Sequence, residues 1–270
     1  MNITFFIKEF HLRHPVIKEI KSALIKRGVN LDFVVLKETI LDLQSLGHLK
    51  FASNSDLVVF KTTKYFAEHL AILMEDEGLR VINGSKSIRL NRDKILNNIT
   101  LRKSGIKTPK TITFHSSEIK KISQKMFPMV IKPVVGGRAR GVKLVSNKSE
   151  LEKNEKNDDI VIGQKYIEND GLDRKLYVVD DKVFGIFKPS VLTPSDNSNA
   201  FKEFKVEEDL KEIALKCGEI TNSKIYGVDV VLGEDGPYVI ETNDFPGFRG
   251  IKNAGKIIAD FLYFKKNEKR

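Results

Sequence analysis

The chain has no tryptophan and only one cysteine, Cys217. A single thiol excludes an internal disulfide framework and a cysteine metal cage, and it fits a reducing compartment. Long apolar runs are missing as well. Runs such as Leu57-Val-Val-Phe60 and Ile160-Val-Ile162 have strand length, far short of the roughly 20 residues a membrane helix needs. Met1-Asn-Ile-Thr-Phe-Phe-Ile7 runs straight into strand-like sequence, with neither a basic leader nor a small-residue cleavage site. No export signal or membrane partner is therefore expected, and the expected location is cytoplasmic. Aromatic RNA-binding motifs and a helix-turn-helix are absent, which argues against nucleic acid. What is abundant is positive charge: 46 Lys and Arg against 36 Asp and Glu, a net +10 over 270 residues. Two explanations stay open, an anionic ligand or a lysine-rich composition with solvated faces; the scatter of the lysines favours the second. The length suits one multi-lobed unit or two domains with ample core.

Hydrophobic spacing predicts strands at Ile3–Ile7, Leu31–Leu36, Leu57–Phe60 and Val81–Asn83, with helices at His14–Arg27 and Lys64–Glu77 closed by Gly28 and Gly78. That β-α-β alternation implies a small parallel sheet. A helix over Asn91–Ser104 follows, then strands at Lys110–Phe114, Met129–Pro133 and Val142–Val145, with a short helix up to Met126 between the first two. Residues 147–158 read as a solvated segment. Strands at Ile160–Lys165, Leu172–Val179 and Val183–Lys188 precede a Pro-, Ser- and Asn-rich loop, Pro189–Asn199, which is either a substrate lid or disordered. An amphipathic helix at Glu207–Asn222, a hairpin around Gly233-Glu-Asp-Gly236 that pairs Val230–Leu232 with Tyr238–Ile240, and a closing helix over 253–264 complete the chain. The expected domains are 1–84, 85–163 and 164–266.

Three lysines, Lys94, Lys132 and Lys175, sit where phosphate binding is conceivable, although each alone reads more naturally as a surface residue. The segment Lys132-Pro-Val-Val-Gly-Gly-Arg-Ala-Arg-Gly-Val142 changes this. Its glycines permit positive φ and close approach to a triphosphate, and successive amides can point at phosphate oxygens. It lies between strands and lacks the Gly-Lys-Ser/Thr of a Walker loop; an ordinary hairpin tip is the alternative. Farther on, Gly227-Val-Asp229 precedes Glu241-Thr-Asn243. Glu241 and Asn243 are two apart and so share a sheet face with Asp229 opposite. Two carboxylates and a carboxamide suit Mg2+, which takes hard oxygen ligands and keeps water and phosphate. A merely polar sheet face would leave carboxylates among apolar neighbours needing a compensating cation. Gln164-Lys-Tyr-Ile167 ends a buried strand whose backbone suits an adenine edge.

In sequence order these residues are Asp93-Lys94, a Gly-Ile-x-x-Pro turn (Gly105 to Pro109), Ile131-Lys-Pro133 with its glycine flap, Gln-x-Tyr-Ile, Gly-x-Asp and Glu-x-Asn-x-x-Pro-Gly. Together they resemble the ATP-grasp superfamily from about residue 80 to the C-terminus. The resemblance implies a mixed α/β (α+β) ATP-grasp fold: an N-terminal parallel α/β domain followed by two ATP-binding lobes. It implies that Lys94 and Lys132 bind the α- and β-phosphates and that Gly136, Gly137 and Gly141 cover the β- and γ-phosphates. Gln164, Lys165, Tyr166 and Ile167 would form the adenine hinge, with Glu168 or its neighbourhood near the ribose. Asp229, Glu241 and Asn243 would hold two Mg2+, or Mn2+. Arg138 and Arg140 stand where relatives carry small residues.

Two subfamilies fit the pattern. RimK-type carboxylate–amine ligases, working through an acyl phosphate, resemble the chain in Gly171-x-Asp173, Glu-x-Asn and Pro246-Gly247. They carry Arg where Lys175 stands, and an Arg-x-Asn segment that is missing near Asn197–Phe204. Inositol polyphosphate kinases resemble it in Asp170-Gly-Leu172, Lys175, Tyr177 and Phe245-Pro-Gly-Phe248, but carry Asp where Glu241 stands. The ligase is the preferred expectation, then the kinase, then a non-catalytic nucleotide-binding protein. In the ligase Lys175 and Arg249 are the catalytic candidates, orienting carboxylate and developing charge; in the kinase Lys188 would join them against neighbouring phosphates. The substrate would be a small molecule or peptide with carboxylate or phosphate groups, and a homo-oligomer is left open. His11 and His14 read as a surface turn ahead of a substrate contact, and Cys217 as core packing.

Overall fold

The computed structural model describes residues 1–36, 54–62, 64–135, 141–154, 160–192 and 201–265. The first sheet is parallel, in the order β2 (Asn30–Val35), β1 (Asn2–Ile7), β3 (Leu57–Lys61), β4 (Val81–Ile82). β1 is buried on both faces, as its apolar Ile3, Phe5, Phe6 and Ile7 require. Ile3, Phe5 and Ile7 face one core and Phe6 another, the latter shared with helix α2 (Tyr65–Asp76). Helix α1 (Pro15–Ile25) starts on Pro15, whose fixed φ suits the first turn.

The predicted helix over Asn91–Ser104 is two helices, α3 (Ser85–Arg92) and α4 (Lys94–Lys103). The break falls at Asp93, which is extended (φ −97°, ψ 108°) and whose Oδ1 accepts from the amides of Ile95 and Leu96 at 2.9 and 3.0 Å. This is a side-chain N-cap. It places Lys94 in the first turn of α4, where its amide donates to Val134 O at 3.3 Å.

A second, antiparallel sheet runs β5 (Thr111–His115), β8 (Ile160–Lys165), β6 (Met129–Pro133), β7 (Lys143–Val145). The expected helix up to Met126 is two short 3-10 turns, Ser116–Lys121 and Gln124–Met126. The segment read as solvated contains helix α5 (Lys148–Asn154), whose Leu151 is fully buried against this sheet's core. The flap residues Gly136, Gly137, Arg138 and Arg140, and most of the Pro189–Asn199 loop, lie outside the described residues.

The third sheet, also antiparallel, runs β11 (Glu203–Phe204), β10 (Lys182–Pro189), β9 (Leu172–Val179), β12 (Ile225–Gly233), β13 (Gly236–Asp244). One face packs on helix α6 (Glu208–Thr221); Cys217 sits in that core as expected, its thiol pushed by burial to about 12. The closing helix α7 (Ala254–Phe264) returns to α1, where Gly255 lies so close to Glu19 and Val16 that a side chain would not fit. Ile258 and Leu262 join the core of Ile3, Phe5 and Ile7.

His11 and His14 belong to the expected surface turn, a 3-10 turn over Glu9–Arg13 that has no buried residue and ends on His14. Both are half-buried: His11 Nδ1 lies 3.2 Å from Lys61 O, and His14 lies against Gly247. Burial and nearby Lys61 push His11 down to about 3.

The hairpin register also differs from expectation. Asp229 pairs with Glu241, but Val230 pairs with Val239, so Ile240 is an extra residue, a β-bulge. Val239 points into the α6 core, while Ile240 and Glu241 both line the cavity described next. Strict alternation, assumed from sequence, would have sent Glu241 to the core beside Val239.

Candidate active site

A cavity of about 400 Å3 opens between the second and third sheets. The ends of β6 and β8 form one wall, β9, β10 and the β12–β13 hairpin the other, and Lys94 of α4 closes an edge. Of the residues singled out from sequence, Lys94, Lys132, Gln164, Lys165, Tyr166, Ile167, Lys175, Asp229, Glu241 and Asn243 all line it. Five lysines (94, 132, 165, 175, 188) stand against three carboxylates (173, 229, 241), an excess of positive charge suited to an anion.

The charges pair across the wall. Lys94 Nζ lies 3.0 Å from Glu241 Oε2, Lys175 Nζ 2.7 Å from Asp229 Oδ2, and Lys188 Nζ 3.4 Å from Asp173 Oδ2. Asn243 Nδ2 donates to Asp229 Oδ2 at 2.7 Å. Burial opposes the charge on Asp229, yet Lys175 and Lys188 hold its carboxyl below the ordinary value. Asp173 shifts the other way, raised by burial and by nearby Asp229. Lys132, 6% exposed, is lowered by burial even though Glu241 supports its charge. Burial also lowers Lys188, but Asp229 and Asp173 outweigh it and leave its ammonium above the usual range.

Asp229 Oδ1 is buried and takes no hydrogen bond. Buried oxygens are rarely left so, and one beside a second carboxylate and a carboxamide suits a hard cation. Among the described residues no group of three or more His, Cys, Asp and Glu side chains forms a metal cage. The donor set therefore fits Mg2+, which is commonly held by one or two carboxylates plus phosphate oxygens.

On the opposite wall the amides of Lys165 and Tyr166 are engaged, donating to Lys110 O at 2.8 Å and Pro128 O at 3.0 Å. Gln164 Nε2 donates to Thr111 Oγ1 at 3.1 Å. Glu168 is exposed and outside the wall, where Asn169 stands instead. Gly141 adopts positive φ (+72°) beside Pro133, next to the wall residue Val142. Arg249 is also outside: exposed, its guanidinium lies 3.8 Å from the centroid of the Phe201 ring, while its backbone bonds the Tyr177 hydroxyl.

Sequence reasoning did not name Asn169, which falls in the neighbourhood of Glu168, or Ser190, which falls in the Pro189–Asn199 loop, and it gave Lys188 a role only in the kinase. The signal for Lys188 was present: Phe187-Lys-Pro189 ends β10 as Ile131-Lys-Pro133 ends β6, and both lysines meet at the cavity.

A charged cavity between two antiparallel sheets is the arrangement that the ATP-grasp resemblance leads one to expect. Residues 91–262 match the RimK-like ATP-grasp domain, and the chain belongs to that family. It is 30% identical to the coenzyme gamma-F420-2:alpha-L-glutamate ligase of Methanocaldococcus jannaschii over 90% of this chain and 92% of that protein. It is 29% identical to the glutamate–LysW ligase ArgX of Sulfolobus acidocaldarius, covering 93% and 94% respectively. Its fold matches the RimK-domain ATP-grasp protein of Sphaerobacter thermophilus with a TM-score of 0.75 at 20% identity, over 96% of this chain and 99% of that one. The protein is thus an ATP-dependent ligase of the RimK type, and ATP and Mg2+ use follows from the family. The kinase alternative gains no support from these relatives. No helix among the described residues is long and apolar enough to cross a membrane.

Proposed function

We propose that the cavity binds Mg-ATP and that the protein joins a substrate carboxylate to an amino acid of the glutamate type through an acyl phosphate. The observation that carries this is the convergence of Lys94, Lys132 and Lys175 with Asp229, Glu241 and Asn243 on one cavity. A substrate carboxylate oxygen attacks the γ-phosphorus and ADP leaves; the amine then attacks the acyl carbon, expelling phosphate and losing a proton. Lys94 and Lys132 would hold the α- and β-phosphates by charge-assisted bonds, and Gly136, Gly137 and Gly141 are the residues assigned to cover the β- and γ-phosphates. Ile167 offers its amide to adenine, because those of Lys165 and Tyr166 are committed elsewhere. Asn169, rather than Glu168, stands toward the ribose.

Asp229, Glu241 and Asn243 would hold two Mg2+, which would supply charge neutralisation for the transferred phosphoryl group. Lys175 steadies developing negative charge, and Arg249 orients the substrate carboxylate from the rim. Glutamate as the amine partner rests on the names of the relatives and on the positive excess in the cavity. We divide the chain at 1–84, 85–163 and 164–266; β8 spans the second boundary, so Lys165 to Ile167 serve as the hinge. Incubation with ATP, Mg2+, glutamate and a panel of carboxylates should yield ADP, phosphate and a new amide in equal amounts. Label transfer from γ-phosphate to a hydroxyl would overturn the reading.

A further inference from the structure

β13 is the edge strand of its sheet, with β12 on one side only. It also carries the bulge at Ile240, so the phase of its side chains changes just before Glu241. A strand that has shifted phase needs something to hold the new one, because a slip of one residue would turn Glu241 and Asn243 away from the cavity together. Helix α4 provides the hold on the open side. Asn97, 2% exposed and one turn beyond Lys94, donates from Nδ2 to Thr242 Oγ1 at 2.6 Å. Its Oδ1 accepts from the Thr242 amide at 3.2 Å. Thr242, also 2% exposed, stands between Glu241 and Asn243 and points away from the cavity. The carboxamide thus stands in for a neighbouring strand at this one residue. Lys94, on the same helix, meets Glu241.

We propose that Asn97 and Thr242 form a positioning pair that holds β13 in its post-bulge phase, so that Glu241 and Asn243 present their oxygens to the metal. This rests on the metal reading above. Neither residue touches the cavity, and the pair acts through the strand.

The test uses the full chain with a non-hydrolysable ATP analogue, reading Mn2+ binding by electron paramagnetic resonance and the Mg2+ dependence of turnover. Thr242→Val keeps the side-chain shape and removes only the hydroxyl; Asn97→Ala removes both contacts. Both are expected to raise the Mn2+ dissociation constant by about 10- to 100-fold, the range for groups that orient metal ligands. Affinity for the analogue without metal should stay nearly unchanged, and Thr242→Ser should restore Mn2+ binding. If Asn97→Ala fails to fold, Thr242→Val decides. Mn2+ binding within twofold of the parent in Thr242→Val, with only a lower melting temperature, would reduce the pair to packing and overturn the proposal. Asn243→Ala separates the two layers. If it abolishes Mn2+ binding while Thr242→Val does not, the positioning role falls alone. If it too leaves binding intact, the metal reading falls and the pair's role with it.

Discussion

Two of the places where lysines and carboxylates come together, the cavity and the junction of the first and third sheets, are built to different ends. At the cavity, Lys175–Asp229 and Lys94–Glu241 are direct ion pairs with side chains 10–22% exposed. Asp229 keeps its charge there, held low by Lys175 and Lys188 against burial. At the junction of the first and third sheets, Lys61 is 3% exposed and donates instead to the carbonyls of Phe245 and Pro246 at 2.8 and 3.0 Å, with the Phe245 ring beneath it. Nearby Asp244 is served by neutral donors, Asn83 Nδ2 at 2.5 Å and Ser87 Oγ at 3.0 Å. Burial pushes Lys61 down to about 7 and Asp244 up to about 6, each toward its neutral form. The cavity pairs its lysines and carboxylates directly, side chain to side chain. The junction suppresses charge and fixes a backbone turn.

The largest effect should come from breaking the cavity side. Asp229→Asn or Asn243→Ala is expected to lower kcat about a thousandfold, the several kcal/mol a metal supplies, with an unchanged circular dichroism spectrum. Turnover near the parent rate would erase the contrast. Next comes the junction, read by unfolding against pH. Lys61 has a folded pKa near 7 and an ordinary value of 10.5. The unfolded chain therefore binds the extra proton between these values, and stability rises with pH across that window. Lys61→Met should flatten this rise. Asp244, near 6 when folded against an ordinary 3.8, holds its proton longer in the folded state, so its contribution is present below pH 4 and lost as pH rises through 6. Asp244→Asn should remove that slope, worth a few kcal/mol by linkage, while leaving both hydrogen bonds to Oδ1 possible. The smallest effect should come from Arg249→Ala at the rim: a rise in the KM of the carboxylate substrate of roughly tenfold, the worth of one charged hydrogen bond, with the KM of ATP unmoved. A rise in the ATP value instead would place Arg249 with the nucleotide.

Much of this was legible in the residues. The strands of the parallel sheet, the grouping of Asp229, Glu241 and Asn243 on the hairpin and the lysine at the end of β6 follow from apolar periodicity and the chemistry of each side chain. What was hidden has identifiable causes. Helix α5 buries a single apolar residue, Leu151, among charged neighbours, so it has no stripe to read. Helix α3 is similarly polar, and the Asp93 cap merged with the helix it starts. The bulge at Ile240 breaks the alternation on which strand reading depends; only the adjacent apolar pair Val239-Ile240 before a carboxylate hinted at it. Asn97 was invisible because its role depends on a residue 145 positions away.

The return of α7 to α1 has a consequence for synthesis. The core begun by Ile3, Phe5 and Ile7 is finished by Ile258 and Leu262. A nascent chain therefore carries β1 incompletely covered until α7 emerges, so the maturation of the first sheet waits on a helix far downstream of it.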